Sequence, residues 1–149
     1  TEGHVFLVFR RSIQTPISSR RAGFWRLGTS GLICHVPYTD DDIYDDTGST
    51  SRRSLGAAPV LTADAQCLEI RSASSLWSAH LNGQSQGGAF GTNTVGFSTT
   101  PELGGFLSGN AFYDGSIAEV LIFDRVLPLP ERARLVEYLK ARYLIASFP

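Results

Sequence analysis

Short apolar runs separated by turn-forming residues make up most of this sequence. The run from Val5 to Phe9 is wholly apolar, and residues 24–28, 68–71 and 76–81 combine branched, aromatic and polar side chains at strand length. Asn82-Gly83 follows the last of these runs, and both residues tolerate the positive φ of a tight hairpin turn. Apolar runs of this kind between turn signals predict β-strands, and the whole chain offers roughly ten of them.

The spacing of the apolar positions changes near the C-terminus. The last strand-like run covers residues 116–123, and beyond it apolar residues recur every three or four positions, at Leu135, Val136, Leu139 and Tyr143. This spacing predicts one amphipathic helix over about residues 129–143. Pro128 replaces the usual side-chain cap, and proline is tolerated in a first helical turn. Many strands and one closing helix predict an all-β fold, a two-sheet antiparallel sandwich with the helix packed outside.

The C-terminal stretch resembles the signature of a known family. The string DGSIAEVLIFDRVL, followed by ER and VEYLKARY, is similar to the last strand, turn and closing helix of concanavalin A-like lectin/glucanase domains of the laminin-G-like type, in their bacterial and phage versions. The order W-S-A-x-L-N-G-Q, which begins at Trp77, resembles the family's central hairpin. Pro128 and Leu144 depart from the pattern, since the family often has Ser or Thr and Gly there. The resemblance implies a jelly-roll sandwich that binds ligands on its concave face or through rim loops.

Length and charge narrow the classes of protein further. The 149 residues with a single helix predict one domain over residues 1–149. A net charge of -1 and 18% charged residues give no indication of nucleic-acid binding. No apolar run approaches the roughly 18 residues that span a bilayer, so no membrane insertion is expected. The chain contains no Met, which indicates a segment of a longer or processed chain. We expect an extracellular, cell-surface or virion location.

The most unusual stretch is acidic and runs from Asp40 to Asp46. Five of its seven residues are aspartates. One interpretation is a Ca²⁺ site with Asp40, Asp42, Asp45 and Asp46 as ligands, because hard cations prefer carboxylate oxygens. The other is a solvated acidic loop whose aspartates hold local backbone amides and pair with the arginines that follow. No glutamate closes the stretch as in an EF-hand, so both interpretations stay open.

Aromatic and amide side chains are the candidates for ligand binding, because sugars stack on rings and hydrogen-bond to polar groups. The candidates are Tyr38, Tyr44, Trp25, Trp77, Asn82 and Asn93. Both tryptophans lie within apolar runs, where core packing is the stronger interpretation. The two tyrosines lie beside the aspartates and are the better candidates for an exposed site.

No catalytic residue is assigned from the sequence. The three histidines are far apart and lack the spacing of metal ligands. Glycoside hydrolysis needs two carboxylates around one bond. Glu69 and Glu119 are single carboxylates on predicted strands, and Glu102 lies in a predicted loop. The pattern therefore predicts a protein that is not an enzyme.

Cys34 and Cys67 are the only cysteines. A disulfide between neighbouring strands would suit an exported protein. Two buried thiols would fit the sequence equally well. The sequence leaves the two alternatives open.

Three functions remain for this sequence. A non-catalytic carbohydrate- or glycan-binding module of a phage or bacterial surface protein is favoured by the acidic aromatic stretch. The alternative is a structural subunit of a virion or filament, since almost nothing precedes the strand from Val5 to Phe9 to pair with its edge. Another subunit, or a second copy in a homo-oligomer, would then cover that edge. A glycoside hydrolase is the least favoured of the three functions, because the sequence shows no pair of carboxylates for this reaction.

Overall fold

The computed structural model describes residues 2–12, 23–28, 34–40, 42–45, 53–57, 64–74, 76–90, 96–106 and 111–145. These residues form β1 (Gly3–Arg11), β2 (Gly23–Gly28), β3 (Cys34–His35), β4 (Asp42–Asp45), β5 (Arg53–Ala57), β6 (Gln66–Ala73), β7 (Leu76–Leu81), β8 (Gln84–Phe90), β9 (Phe97–Leu103), β10 (Gly105–Phe106), β11 (Ala111–Phe112), β12 (Gly115–Phe123) and the helix α1 (Leu129–Tyr143). The predicted all-β fold with one closing helix is confirmed, and the helix bounds agree with the prediction.

Ten of the strands form two antiparallel five-stranded sheets, which pack as a sandwich. Sheet A has the order β12-β1-β6-β7-β8, and sheet B has the order β5-β4-β3-β2-β9. The short strands β10 and β11 pair with each other. Because β1 pairs with β12, sheet A brings together the first and last strands that the structure describes, as jelly-roll sandwiches do.

The core between the sheets follows from the alternation of side chains along each strand. Val5, Leu7 and Phe9 of β1 belong to this core together with Phe24 and Trp25 of β2. All five residues are at most 1% exposed. Successive side chains of a strand point to opposite faces, so β1 directs its even-numbered residues to the outer face of sheet A.

The helix α1 covers part of that outer face. The apolar core under it consists of Phe6, Val8, Ala65, Cys67, Leu127, Val136, Leu139 and Ile145. Pro128 supplies no side-chain cap, and Leu144 ends the helix with a left-handed φ of 54°. Helices of this length depend mainly on tertiary packing for stability, so contact with sheet A rather than capping holds α1 in place. No helix in the described ranges is long and apolar enough to cross a membrane.

The prediction that the strand from Val5 to Phe9 has an open edge is wrong. β1 pairs with β12 on one side and with β6 on the other, so it is an interior strand. β12 occupies the edge of sheet A instead, and its Ile122 is 48% exposed. The local apolar pattern could not reveal this arrangement, because a strand from the far end of the chain supplies the pairing.

Cys34 and Cys67 are both buried and are not joined by a disulfide. Cys34 belongs to the core between the sheets, whereas Cys67 lies under α1 on the other side of sheet A. Burial raises the pKa of the Cys67 thiol well above its ordinary value, which makes this thiol unreactive. The structure thus decides between the two alternatives that the sequence left open.

Candidate binding surface

The acidic stretch contributes the strand β4, which corrects the expectation of a loop. Asp42–Asp45 pairs with β3 on one side and with β5 on the other. Because side chains alternate along a strand, Ile43 and Asp45 are buried, while Asp42 and Tyr44 are half-buried on the outer face of sheet B. The strand therefore divides the acidic stretch into an inward and an outward set.

The outward set belongs to a surface that we call the tyrosine–aspartate surface, which consists of Tyr38, Asp40, Asp42 and Tyr44. The Tyr44 hydroxyl donates a hydrogen bond to Asp40 Oδ2 at 2.8 Å. Asp40 Oδ1 accepts one from the backbone N–H of Asp42 at 3.2 Å. The rings of Tyr38 and Tyr44 meet edge to face with centroids 5.7 Å apart, and Tyr38 also packs on His35 at 4.7 Å. Two half-buried rings and two carboxylates named from the sequence thus lie together.

Asp45 belongs to the inward set and joins the two sheets. Its carboxylate is 0% exposed, and its Oδ2 accepts a hydrogen bond from the indole N–H of Trp77 at 2.8 Å. Asp42 faces the other way and accepts a hydrogen bond from the Ser54 hydroxyl at 2.7 Å. The inward orientation of Asp45 separates it from Asp40 and Asp42, the other predicted metal ligands that the structure describes.

The described aspartates of the acidic stretch belong to no cluster of three metal-ligating side chains. Within the part of the chain that the structure describes, no three His, Cys, Asp or Glu side chains converge as metal ligands would. Asp41 and Asp46 lie outside the described residues. A Ca²⁺ ion bound by the acidic stretch therefore stays a prediction.

Trp25 and Trp77 are core residues, each 1% exposed. Neither offers a ring face to a ligand, so their interpretation as binding platforms is wrong and the interpretation as core is right. Asn82 holds the β7–β8 turn, with a φ of 49°, and its Oδ1 accepts a hydrogen bond from the backbone N–H of Cys67 at 2.8 Å. Asn93 lies outside the described residues.

A buried ion cluster that could not be predicted from the sequence lies on the outer face of sheet A. We call it the arginine–glutamate cluster, which consists of His4, Glu69, Arg71, His80 and Arg132. Glu69 is 0% exposed and accepts two hydrogen bonds from the guanidinium of Arg132, both at 2.7 Å. Since Arg132 belongs to α1 and Glu69 to β6, this pair fastens the helix to the sheet. The only signal in the sequence was a charged residue, Glu69, between apolar neighbours.

His4 completes the hydrogen bonding of Glu69. Its Nε2–H donates to Glu69 Oε1 at 2.9 Å, and its Nδ1 accepts from the backbone N–H of Leu127 at 3.1 Å, a pattern that requires a neutral ring. Burial by itself would raise the pKa of Glu69, but the hydrogen bonds from His4 and Arg132 and the charge of Arg132 outweigh it and lower the pKa to about 2. Glu69 is therefore ionised at neutral pH, which does not suit a general acid.

Arg71 and His80 extend the cluster toward β7. The Arg71 guanidinium donates to His80 Nε2 at 2.9 Å, so the proton of the neutral ring resides on Nδ1. Burial, together with the positive charge of Arg71, lowers the pKa of His80 despite the opposing effect of Glu69. His80 is thus held neutral beside two arginines.

The other two glutamates considered as catalytic candidates also have partners within the protein. Glu102 of β9 accepts a hydrogen bond from Arg26 at 2.8 Å. Glu119 of β12 accepts one from the hydroxyl of Tyr143 at 2.7 Å and one from Tyr138 at 3.2 Å. Each of these carboxylates thus stabilises a contact between two elements.

Comparison with known proteins finds similarity in structure but not in sequence. No protein-family model and no curated protein matches the chain. The CBM40 domain of a Ruminococcus gnavus IT-sialidase bound to α2,6-sialyllactose matches with a TM-score of 0.55 and 11% identity, over 99% of this chain and 83% of that one. The same domain bound to α2,3-sialyllactose matches with a TM-score of 0.56 and 12% identity, over 91% of this chain and 82% of that one.

A larger protein shows the same similarity. A Trypanosoma rangeli sialidase in complex with the inhibitor DANA matches with a TM-score of 0.59 and 13% identity, over 91% of this chain. This chain spans only 22% of that sialidase. At such low identities the likeness establishes the fold alone, a β-sandwich.

Proposed function

We propose that this protein is a non-catalytic carbohydrate-binding module whose ligand lies on the tyrosine–aspartate surface. One observation carries the proposal: the half-buried rings of Tyr38 and Tyr44 lie beside Asp40 and Asp42 on the outer face of sheet B. Sugars stack on aromatic rings, and carboxylates accept hydrogen bonds from hydroxyls. CBM40 domains with the same fold bind sialyllactose in their solved structures, which supports a glycan as the ligand.

The finer assignment rests on the resemblance of the C-terminal stretch. On that basis the protein is a laminin-G-like domain of a bacterial or phage surface protein, with an extracellular, cell-surface or virion location. Ca²⁺ belongs to this proposal as well, with Asp40, Asp42 and Asp46 as its ligands. Bound there, a cation would offset the repulsion within the acidic stretch and present open coordination positions to sugar hydroxyls.

A glycan array tests the proposal, with the purified protein applied once with Ca²⁺ and once with a chelator. We expect Tyr44→Ala to weaken binding at least about 10-fold, or roughly 1.4 kcal/mol, because it removes a stacking ring. Tyr138→Ala is the matched control, since Tyr138 is 43% exposed but lies on α1, at the other side of the sandwich. Loss of binding in chelator would support the cation. A folded protein that binds no glycan, or equal losses in the two variants, would contradict the proposal.

The alternative function, a structural subunit, would use a different edge from the one predicted. β12 forms the outer edge of sheet A, and its exposed Ile122 favours pairing with another chain. Its register with β1 shifts between Val8 and Phe9, and such bulges bend an edge away from further pairing. Sedimentation of the purified protein separates the two functions: a glycan-binding monomer supports the module, and a glycan-inert oligomer supports the subunit.

A further inference from the structure

Two arginines in the arginine–glutamate cluster share one carboxylate. The Arg132 guanidinium donates one hydrogen bond to each carboxylate oxygen of Glu69, both at 2.7 Å. His4 donates a third. Arg71 is left 3.7 Å from Glu69 Oε1, beyond hydrogen-bond distance. Since the hydrogen bonds of His4 and His80 indicate neutral rings, the cluster carries a net charge of +1. Of the two arginines, Arg71 therefore has the longer and weaker ion pair with Glu69.

Two hydrogen-bond donors of the described residues, one on β6 and one on β7, lack acceptors beside this ion pair. Arg71 of β6 pairs directly with Ser78 of β7, so their side chains share the outer face of sheet A. Arg71 Nε and Ser78 Oγ are both buried and have no hydrogen-bond partner among the residues that the structure describes, and Ser78 as a whole is only 6% exposed. A buried polar group without a partner costs about 1–3 kcal/mol. Two such groups on one cross-strand pair indicate that an acceptor from outside the chain completes them.

Of this cross-strand pair, Arg71 is the residue that solvent can reach. Its side chain is 22% exposed, and His80 beside it is half-buried. Ser85 of β8 pairs with His80 and is exposed. The exposed part of the Arg71 side chain is therefore open to a small charged group.

We propose that Arg71, Ser78 and His80 bind the oxyanion group of a ligand, a carboxylate or a sulfate ester. Guanidinium groups bind planar oxyanions through paired, charge-assisted hydrogen bonds, and a hydroxyl and an imidazole N–H are further donors. The carrier of the anion is an acidic glycan, a choice that rests on the proposed function. This anion site lies on sheet A, whereas the tyrosine–aspartate surface lies on sheet B.

Arg26 provides a matched control on the other sheet. Its side chain is 20% exposed, close to the value for Arg71, but its guanidinium lies 2.8 Å from Glu102. It also donates to the Thr100 carbonyl oxygen at 3.1 Å. Arg26 thus has a close counter-ion of its own, and Arg26→Gln removes one strand arginine without touching the anion site.

The test is an NMR titration of the whole isotope-labelled protein with α2,3-sialyllactose, lactose and sodium sulfate. We expect sialyllactose and sulfate to shift the Ser78 and His80 signals, and lactose to leave them unchanged. Arg71→Gln should weaken the binding of both anions at least about 10-fold, because it removes the positive charge. Arg26→Gln should change their affinities less than about twofold. Equal shifts with lactose, or equal effects of the two arginine variants, would overturn the site.

Ser78→Ala keeps the proposal testable if Arg71→Gln fails to fold. Removing the hydroxyl should weaken anion binding about threefold by deleting one donor. A stabilised Ser78→Ala protein with unchanged anion affinity would show that the hydroxyl is only an unsatisfied core group, and would overturn its role.

The titration also separates this site from the proposed function. Sulfate that shifts Ser78 and His80 while neither sugar binds would retain the anion site and refute the glycan-binding module. Sugars that shift only Tyr38 and Tyr44, with no response to sulfate at Ser78, would retain the module and refute the anion site.

Discussion

The two outer faces of the sandwich use carboxylates in opposite settings. On sheet A, α1 covers Glu69 completely, and the carboxylate is held by Arg132 and His4. On sheet B no helix among the described residues covers β4, and the exposed Asp40 is held by the hydroxyl of Tyr44 and a backbone amide. A buried ion must be fully paired to be tolerated, whereas an exposed one can exchange its partners with water or a ligand.

This difference predicts that substitutions act mainly on folding at the buried Glu69 and mainly on binding at the proposed tyrosine–aspartate surface. Removal of a buried partner leaves an uncompensated charge in a poorly solvated place, so the cost falls on folding. Removal of an exposed partner costs the fold little, so its effect would appear in binding. The one helix that the structure describes packs on the other sheet and so leaves the tyrosine–aspartate surface uncovered.

The largest expected effect comes from Glu69→Gln. The substitution leaves Arg132 without its counter-ion beneath α1, and we expect the free energy of unfolding to fall by about 3 kcal/mol. Glu102→Gln is the control, because Glu102 also pairs with an arginine but is 34% exposed, and it should cost less than about 1 kcal/mol. Urea denaturation of both variants measures the difference. Equal losses would remove the distinction between the two faces.

Low pH should destabilise the protein through the buried arginine–glutamate cluster. The pKa of Glu69 is lowered from 4.5 to about 2 in the folded protein, so its contribution is complete above pH 4.5 and is lost as the pH falls toward 2. That contribution is about 3 kcal/mol. The lowered pKa of His80 acts in the same direction, because below about pH 6.5 the unfolded chain binds a proton that the folded protein resists.

Melting temperatures measured from pH 7 to pH 2 check this prediction. The wild-type protein should lose stability progressively over this range, and Glu69→Gln should lose much less between pH 4.5 and pH 2. A parallel decline of the two proteins over that interval would assign the acid sensitivity to other groups.

A smaller effect is expected from Asp45→Asn, which tests the inward side of β4. The variant keeps the shape of the side chain but weakens a charge-assisted hydrogen bond to Trp77, and we expect a loss of about 2 kcal/mol. Chemical denaturation measures that loss, and the glycan array measures binding. Glycan binding should be retained under conditions in which the variant is fully folded, because Asp45 faces away from Tyr44. A variant that folds normally but binds no glycan would place Asp45 in the binding site after all.

Elements that depend on neighbouring residues could be predicted from the sequence. The helical spacing of Leu135, Val136 and Leu139 predicted α1 with its observed bounds. The pair Asn82-Gly83 predicted a hairpin turn, which has φ values of 49° and 78°. Such features could be read from the sequence because burial periodicity and turn conformation are properties of neighbouring residues.

Contacts between residues that are far apart in the chain could not be predicted and were revealed by the folded structure. It placed β12 beside β1 and so turned a predicted edge into an interior strand. It also brought Arg132 onto Glu69 and turned Asp45 toward Trp77. A periodic pattern reports that a side chain is buried, but not which distant partner buries it. That choice depends on how the two sheets and the helix close around one another, because each burial contact is satisfied only in the assembled sandwich.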